Sequence, residues 1–358
     1  MTAERRAFAF VVVAAIACVW LLFNTIVWFY GESPARATAL LFQGTWGTAY
    51  GIGRIIAKAT PLIFAGLAVF VALRAGLFNI GVEGQAAVSA LAAAVVATHI
   101  PASVPGPIAI AFVIAVAIVT ASLWAAIPAF LKAQWGAHEV VSTIMMNRLA
   151  DIYVAWALST QIALKGTVRT ADVPKSTRLA MLDSLGLSVF HESGASVAFV
   201  VAVALCGVVA VLERRALFFL ELRLLGQGRD ACLAAKIPVQ RREVEALVVS
   251  GALAGLVAIG TVFGYKGYFE NGLGAGVGFS GIAVAILARR SAIGVIAAAL
   301  LLATLEQGGL AINALVPMEV MDILRAALII VVALASESIR KLAFRSLAAA
   351  ARRVEAVP

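Results

Sequence analysis

The stretch Arg74-Ala75-Gly76-Leu77-Phe78-Asn79-Ile80-Gly81-Val82-Glu83-Gly84-Gln85 sets two amides, a carboxylate and three glycines between long apolar segments. A polar group in hydrocarbon costs several kcal/mol unless it is partnered, and a carboxylate near the bilayer centre costs about 2.5–3.5 kcal/mol even on the lenient insertion scale. Something must offset that cost. Gly76, Gly81 and Gly84 each weaken a helix by ~1 kcal/mol relative to alanine, but they allow a broken backbone and close approach of a neighbour. The stretch therefore predicts a discontinuous helix on a path through the membrane.

Composition sets the surroundings. The chain has 358 residues, 63% hydrophobic and 13% charged, with a mean hydropathy of +1.01. That leaves too little polar surface to cover a soluble globule, and the length accommodates about eight to eleven spanning helices. The fold expected is an all-α integral membrane protein forming one transmembrane domain over residues 1–358. The net charge of +9 sits in short basic blocks at span ends, the positive-inside pattern, and no compact basic module is present to hold nucleic acid. Cys18, Cys206 and Cys232 are scattered, so neither a disulfide framework nor a zinc site is indicated.

Outward from the opening stretch, ten spans are expected. Span one covers Ala7 to Tyr30. It follows Arg5 and Arg6, with Ala35-Arg36-Ala37 imitating a cleavage site, but it is longer than a signal core of roughly 7–15 residues. Gly31 to Gly47 reads as a polar loop. Span two is Gly51 to Val71, its membrane part starting near Pro61, and span three is Leu77 to Ala97. Helical rise from Arg74 would put Asn79 about 7–8 Å and Glu83 about 13–14 Å inward. Spans four to six are Ile108 to Leu131, Val140 to Leu158 and Ala195 to Leu212. An extracytoplasmic loop, 161–194, separates the last two.

The segment 213–245 is a cytoplasmic, arginine-rich loop. Span seven, Ala246 to Phe263, carries Gly251 and Gly255 at the spacing that suits close helix packing. After the glycine run Asn271 to Gly278, the apolar stretch Phe279 to Leu287 is too short to span unless part of that run is helical. Spans nine and ten are Ala292 to Leu305 and Val320 to Ala335, followed by a basic tail. About eighteen Lys and Arg fall on the N-terminal side of this topology against about eight opposite, which puts both termini in the cytoplasm. Glycine-rich breaks open spans three and eight from opposite faces. Spans 2–5 and 7–10 would then be inverted repeats, each giving one broken helix to a shared centre.

Several chemistries are absent from the residues. No Gly-x-x-x-x-Gly-Lys-Ser/Thr loop exists, so ATP hydrolysis needs a separate subunit. His138-Glu139-Val140-Val141-Ser142 begins like a zinc-protease motif, but Ser142 stands in place of the second histidine, and no metal site is expected. His99, His138 and His191 are too scattered to propose an enzyme. Arg148 with Asp151, and Asp322 with Arg325, sit at i, i+3 and can neutralise each other, whereas Glu83 has no local partner. Few unpaired intramembrane charges favour an uncharged, hydrogen-bonding substrate.

Taken together, Leu73 to Gln85, Gly136 to Asn147 (with His138 where asparagine is usual), Gly278 to Arg289 and Gly226 to Ile237 resemble four motifs of one family. They are similar to the permease subunits of bacterial ABC importers of the ribose, simple-sugar and nucleoside group, related to the branched-chain amino acid permeases. The likeness runs from roughly Pro61 to Arg345 and is strongest to the nucleoside branch. Lys236 stands where the family usually has glycine, and Leu233 where it often has a basic residue.

The resemblance implies a multi-pass protein of the bacterial inner membrane that imports nucleosides or related purine compounds by alternating access. A ribose-like sugar permease or a self-sufficient secondary carrier is the alternative. It implies two cytoplasmic ATPase subunits that bind ATP and Mg, a second permease of shorter length, and an extracytoplasmic binding protein, with no cofactor on this chain. Gly226, Arg229, Asp230, Ala231, Ala234, Ala235 and Lys236 would couple to the ATPase. Asn79, Glu83 and Gln85 would bind or gate, with Phe78 and Phe279 as apolar walls. Gly76, Gly81, Gly84, Gly251, Gly255, Gly276 and Gly278 would break or pack helices.

Overall fold

The computed structural model describes residues 17–331 apart from 102, 289 and 290. The start of the expected first span, Arg5 and Arg6, Arg289-Arg290, the end of span ten and the basic tail lie outside the described residues. The described chain is helical, and its β pairing is limited to isolated bridges, Arg169 with Glu270 and Met181 with Ser196. Four helical segments among the described residues are long and apolar enough to cross a membrane: Ala49–Arg74, Gly106–Trp135, Val239–Lys266 and Ala292–Ile312. The shorter apolar helices Ala17–Phe29, Val82–Thr98 and Val277–Leu287 accompany them.

The chain forms two compact units, Thr45–Thr304 and the flanking segments on either side of it. In the flanking unit, helix α1 (Ala17–Phe29) is followed by α2 (Pro34–Gly44). This corrects the expected loop Gly31 to Gly47. The Ser33 hydroxyl accepts from the Arg36 amide at 3.4 Å, and Pro34 occupies the first helical position, where its missing N–H costs nothing. A Cβ on Gly308 would lie 2.9 Å from Leu41, so this crossing requires glycine.

In the larger unit, α3 (Ala49–Arg74) is continuous through Pro61, and Thr48 caps it by accepting from the Gly51 amide at 3.0 Å. The helix thus begins two residues before the expected Gly51 and runs three beyond the expected Val71. At its far end, Gly76 at φ +74 ends the helix. Leu77 N donates to Ala72 O at 3.1 Å and Gly76 N to Leu73 O at 3.1 Å, the paired bonds of a Schellman stop. The next helix, α4 (Val82–Thr98), begins five residues later than expected. Helical rise from Arg74 consequently does not set the depth of Asn79 or Glu83.

Two further helices, α5 (Gly106–Trp135) and α6 (Glu139–Ala157), are joined by a left-handed Gly136. His138 takes the N-cap role open to asparagine, with Nδ1 accepting from the Val140 amide at 3.3 Å. Helix α7 (Ala198–Arg215) leads into α8 (Leu217–Leu225) and α9 (Arg229–Ala234). Then α10 (Val239–Gly255) is extended by a π-helical segment, Ile259–Lys266. Helix α11 (Val277–Leu287) takes in Val277 and Gly278 from the glycine run, and α12 (Ala292–Ile312) runs further than expected. A last helix, α13, covers 318–331.

Burial ranks these helices. The apolar windows of α3 and of α10 with its π segment are 83% and 78% buried, against 28% for α5. The buried face of α5 carries Ala109, Val113, Ala117, Ala121, Ala125 and Ala129, one residue every fourth position, with Pro128 beside the last. Gly251 and Gly255 lie against this stripe: a Cβ on Gly255 would be 2.9 Å from the Ala117 carbonyl carbon and 3.0 Å from Ala121 Cβ. Small residues on both helices let the backbones touch, which is how helices gain van der Waals contact when lipid removes the hydrophobic drive. The opposite face of α5, including Phe112, Leu123 and Phe130, is exposed, as a lipid-facing surface requires.

The segment 161–194 folds over one end of this unit through three short 3-10 turns. Thr170 N donates to Phe269 O and Val173 N to Gly267 O, both at 2.8 Å, and Leu179 N donates to Phe263 O at 2.9 Å. Arg54 ties the start of α3 to the same end, donating to the Tyr265 hydroxyl at 3.2 Å.

Candidate functional site

The site is built where two interrupted helices begin. The first amides of a helix have no intrahelical acceptor, and its N-terminus carries partial positive charge. At α4, Gly81 offers no side-chain cap. Acceptors come instead from elsewhere: Asn79 Oδ1 accepts from the Gly81 amide at 3.0 Å, and Asn147 Oδ1, on α6, accepts from the Gly84 amide at 2.9 Å. Asn147 Nδ2 also donates to Ile80 O at 2.9 Å, so one side chain clamps both sides of the break.

At α11 the preceding run turns through Gly272, Gly274 and Gly276, all at positive φ near 80°, so it too reaches its helix without a capping side chain. Glu83 supplies the acceptor. Its Oε1 accepts from the Gly276 amide at 2.5 Å and its Oε2 from the Gly278 amide at 2.6 Å. The carboxylate thus lies in the first turn of α4 and at the N-terminus of α11, between two positive helix ends. Its partners lie 193 and 195 residues away in sequence. A Cβ on Gly278 would come within 2.6 Å of Glu83 Cα, so the close crossing requires glycine there.

Glu83 also lines a cavity of about 80 Å³, together with Asp151, Thr261, Phe269 and Asn271. That volume holds a few waters, well below the roughly 300–1,000 Å³ of sites that enclose drug-sized ligands. Two of the polar wall groups, Glu83 and Asp151, are carboxylates that accept, and the Asn271 amide can both accept and donate. Among the described residues, no group of three or more His, Cys, Asp or Glu is placed to hold a metal ion.

The other residues singled out from the sequence fall into separate places. Asn79 and Gln85 are each 1% exposed and face each other inside the protein, not the cavity. Asn79 Nδ2 donates to Gln85 Oε1 at 3.0 Å and to Ser250 Oγ at 2.8 Å, and Ser250 Oγ donates to Ala68 O at 2.6 Å. This network ties the break to α10 and α3. Phe78 and Phe279 are exposed. Gly84 abuts α6, where a Cβ would lie 2.8 Å from Ala150 Cβ, and Gly81 lies beside Thr143.

In the 213–245 segment, Arg229 pairs with Glu243 at 2.8 Å, and Arg242 with both Glu221 and Glu245. Asp230, Ala231 and Ala234 lie on α9, and Ala235 and Lys236 in the turn after it, where Lys236 adopts φ +57. Arg148 and Asp151 pair at 3.4 Å, and Asp322 pairs with Arg325 at 3.3 Å.

Sequence reasoning missed Asn147, Ser250 and the α5 alanine stripe. The four-residue spacing of Ala109 to Ala129 was a visible signal for the stripe. Asn147 closes the motif-like stretch Gly136 to Asn147, but its role, like that of Ser250, depends on partners distant in sequence.

Residues 51–333 match the family described as the permease component of branched-chain amino acid transport systems. The chain is 36% identical to a guanosine ABC transporter permease protein of Bacillus subtilis, over 85% of this chain and 86% of that one. It is 30% identical to a glucose ABC transporter permease protein of Haloferax volcanii, covering 83% and 80%. Identity is 29% to a nucleoside ABC transporter permease protein of Lactococcus lactis, covering 89% of each. No solved structure matches the chain.

Proposed function

The chain belongs to the family of branched-chain amino acid transport permease components, and from that premise we propose that it is the membrane subunit of an ATP-driven nucleoside importer. The observation that carries the substrate is the 36% identity to a guanosine permease along most of both chains. A sugar substrate is the second reading, favoured by the 30% identity to a glucose permease. Both ligands present ring hydroxyls, which donate and accept, and a wall with the Glu83 and Asp151 carboxylates and the Asn271 amide offers partners for both roles.

In this reading the protein works by alternating access around the meeting point of α4 and α11. The small cavity is a closed stage that must widen for a nucleoside to pass. Glu83 stands on the path and gates it, Phe78 and Phe279 form apolar walls, and the buried Asn79–Gln85 pair holds the break in shape. Ten spans with inverted repeats fit two helices that start after glycine-rich breaks and meet at one carboxylate. Both termini would be cytoplasmic, in the inner membrane.

The partners are two ATPase subunits docking on Gly226 to Lys236, an extracytoplasmic binding protein and a second permease. Support for the last comes from α6. Arg148 and Asp151 are 78% and 60% exposed at their side chains, about 14 and 18 Å inside Glu139 by helical rise. Charges at such depth avoid lipid and face water or protein. The face bearing them therefore suits a path shared with a second subunit.

The test is uptake of labelled guanosine and labelled glucose into proteoliposomes holding the permease pair, ATPase and binding protein. Guanosine uptake that requires ATP supports the reading. Glucose uptake alone would replace the substrate, and transport by the permease without ATPase would replace the mechanism.

A further inference from the structure

The two features that the importer reading needs, a coupling segment and a broken helix, touch each other directly. Arg74 is the last residue of α3, and its guanidinium pairs with Glu213 near the end of α7, both side chains almost buried at 11% and 10% exposure. The same guanidinium lies 4.7 Å above the Phe70 ring. Desolvated pairs of this kind hold two elements in one geometry, because separating them leaves a buried charge without its partner.

Two residues further on, the break itself meets the segment that α7 leads into. A Cβ on Gly76 would lie 3.2 Å from Gly226 Cα, and one on Gly226 would lie 2.5 Å from Arg74 O and 3.1 Å from Gly76 N. Backbone rests on backbone there, with no flexible side chain between to absorb a displacement. On the far side of Gly226, ion pairs from Arg242 to Glu221 and from Arg229 to Glu243 bind α8, α9 and α10 together. The coupling segment is thus braced on one side and in hard contact with the break on the other.

We propose that the Arg74–Glu213 pair and the Gly76–Gly226 contact form the joint that passes movement of α8 and α9 to the break before α4, and so to Glu83 at the start of α11. The proposal rests on the importer reading. Arg74 and Glu213 are positioning residues: they touch no ligand, and their role is to keep the contact stiff. A fold anchor alone would leave the number of molecules imported per ATP unchanged.

The experiment uses the complete complex in proteoliposomes and measures labelled guanosine uptake and ATP hydrolysis side by side. Glu213→Gln and Arg74→Gln should each lower uptake at least tenfold while ATP hydrolysis stays within twofold of the parent, and the swapped pair Arg74→Glu with Glu213→Arg should recover part of the uptake. An unchanged ratio of uptake to hydrolysis in Glu213→Gln overturns the joint, as does a parallel fall of both activities that the swap does not repair. Should Arg74→Gln fail to assemble, the near-isosteric Glu213→Gln decides. Failure of the parent complex to import guanosine would instead sink the importer reading, so the two failures are distinguishable.

Discussion

Replacing Glu83 tests the central contact most directly. Each carboxylate oxygen accepts one backbone amide, at 2.5 and 2.6 Å, and hydrogen bonds to a charged group contribute about 1.5–3 kcal/mol each. Glu83→Ala therefore removes about 3–6 kcal/mol before compensation. The Gly276 bond is exposed and the Gly278 bond half-buried, so water can replace the first far better than the second. The expected net loss is about 2–4 kcal/mol. Glu83→Gln keeps one acceptor oxygen but turns an amide donor toward the other N–H, and should lose roughly half as much. Thermal unfolding in detergent should rank parent above Gln above Ala, and nucleoside uptake should fall in Glu83→Ala with the complex still assembled. A Glu83→Ala protein that melts and transports like the parent would refute the view that this carboxylate joins the two helices.

Two further outcomes follow from packing and charge. Gly255→Val should destabilise by at least about 1–3 kcal/mol, because even its Cβ meets Ala117 and Ala121 on α5. Gly207→Ala in α7, where a Cβ meets nothing within 4 Å, should stabilise by about 0.5–1 kcal/mol; the same melting assay reads both. For Glu139, burial opposes ionisation, but Lys132 at 2.7 Å outweighs it and holds the carboxyl below its usual 4.5. A depressed carboxyl contributes stability above its unfolded value and loses it as pH falls through the folded one. Lys132→Met should therefore melt below the parent at pH 7, with the gap closing under pH 4.5. A gap independent of pH would show that the pair does not titrate as described.

Much of the helical framework is readable along the chain because its causes are local. Apolar runs of span length, Gly76 at the end of α3 and the proline and glycine punctuation all act within a few residues. Where structure and sequence part, the cause is local too: the polar residues of Gly31 to Gly47 outweigh the Ser33-Pro34 start signal in the reading, and hydropathy cannot see the helix stop at Gly76 that leaves apolar Leu77, Phe78 and Ile80 unwound before α4.

The sequence by itself determined that this is a helical membrane protein with an interrupted helix around Asn79 to Gln85, and it carried the likeness that points to its family. Only the tertiary structure decided what those polar groups do. Asn79 and Gln85 satisfy each other and Ser250 within the core, while Glu83 caps a helix whose first residue lies nearly two hundred positions away. The physical reason is that a helix N-terminus needs an acceptor but is indifferent to where the chain supplies it. When the acceptor comes from across the molecule, no spacing in the sequence records the pairing.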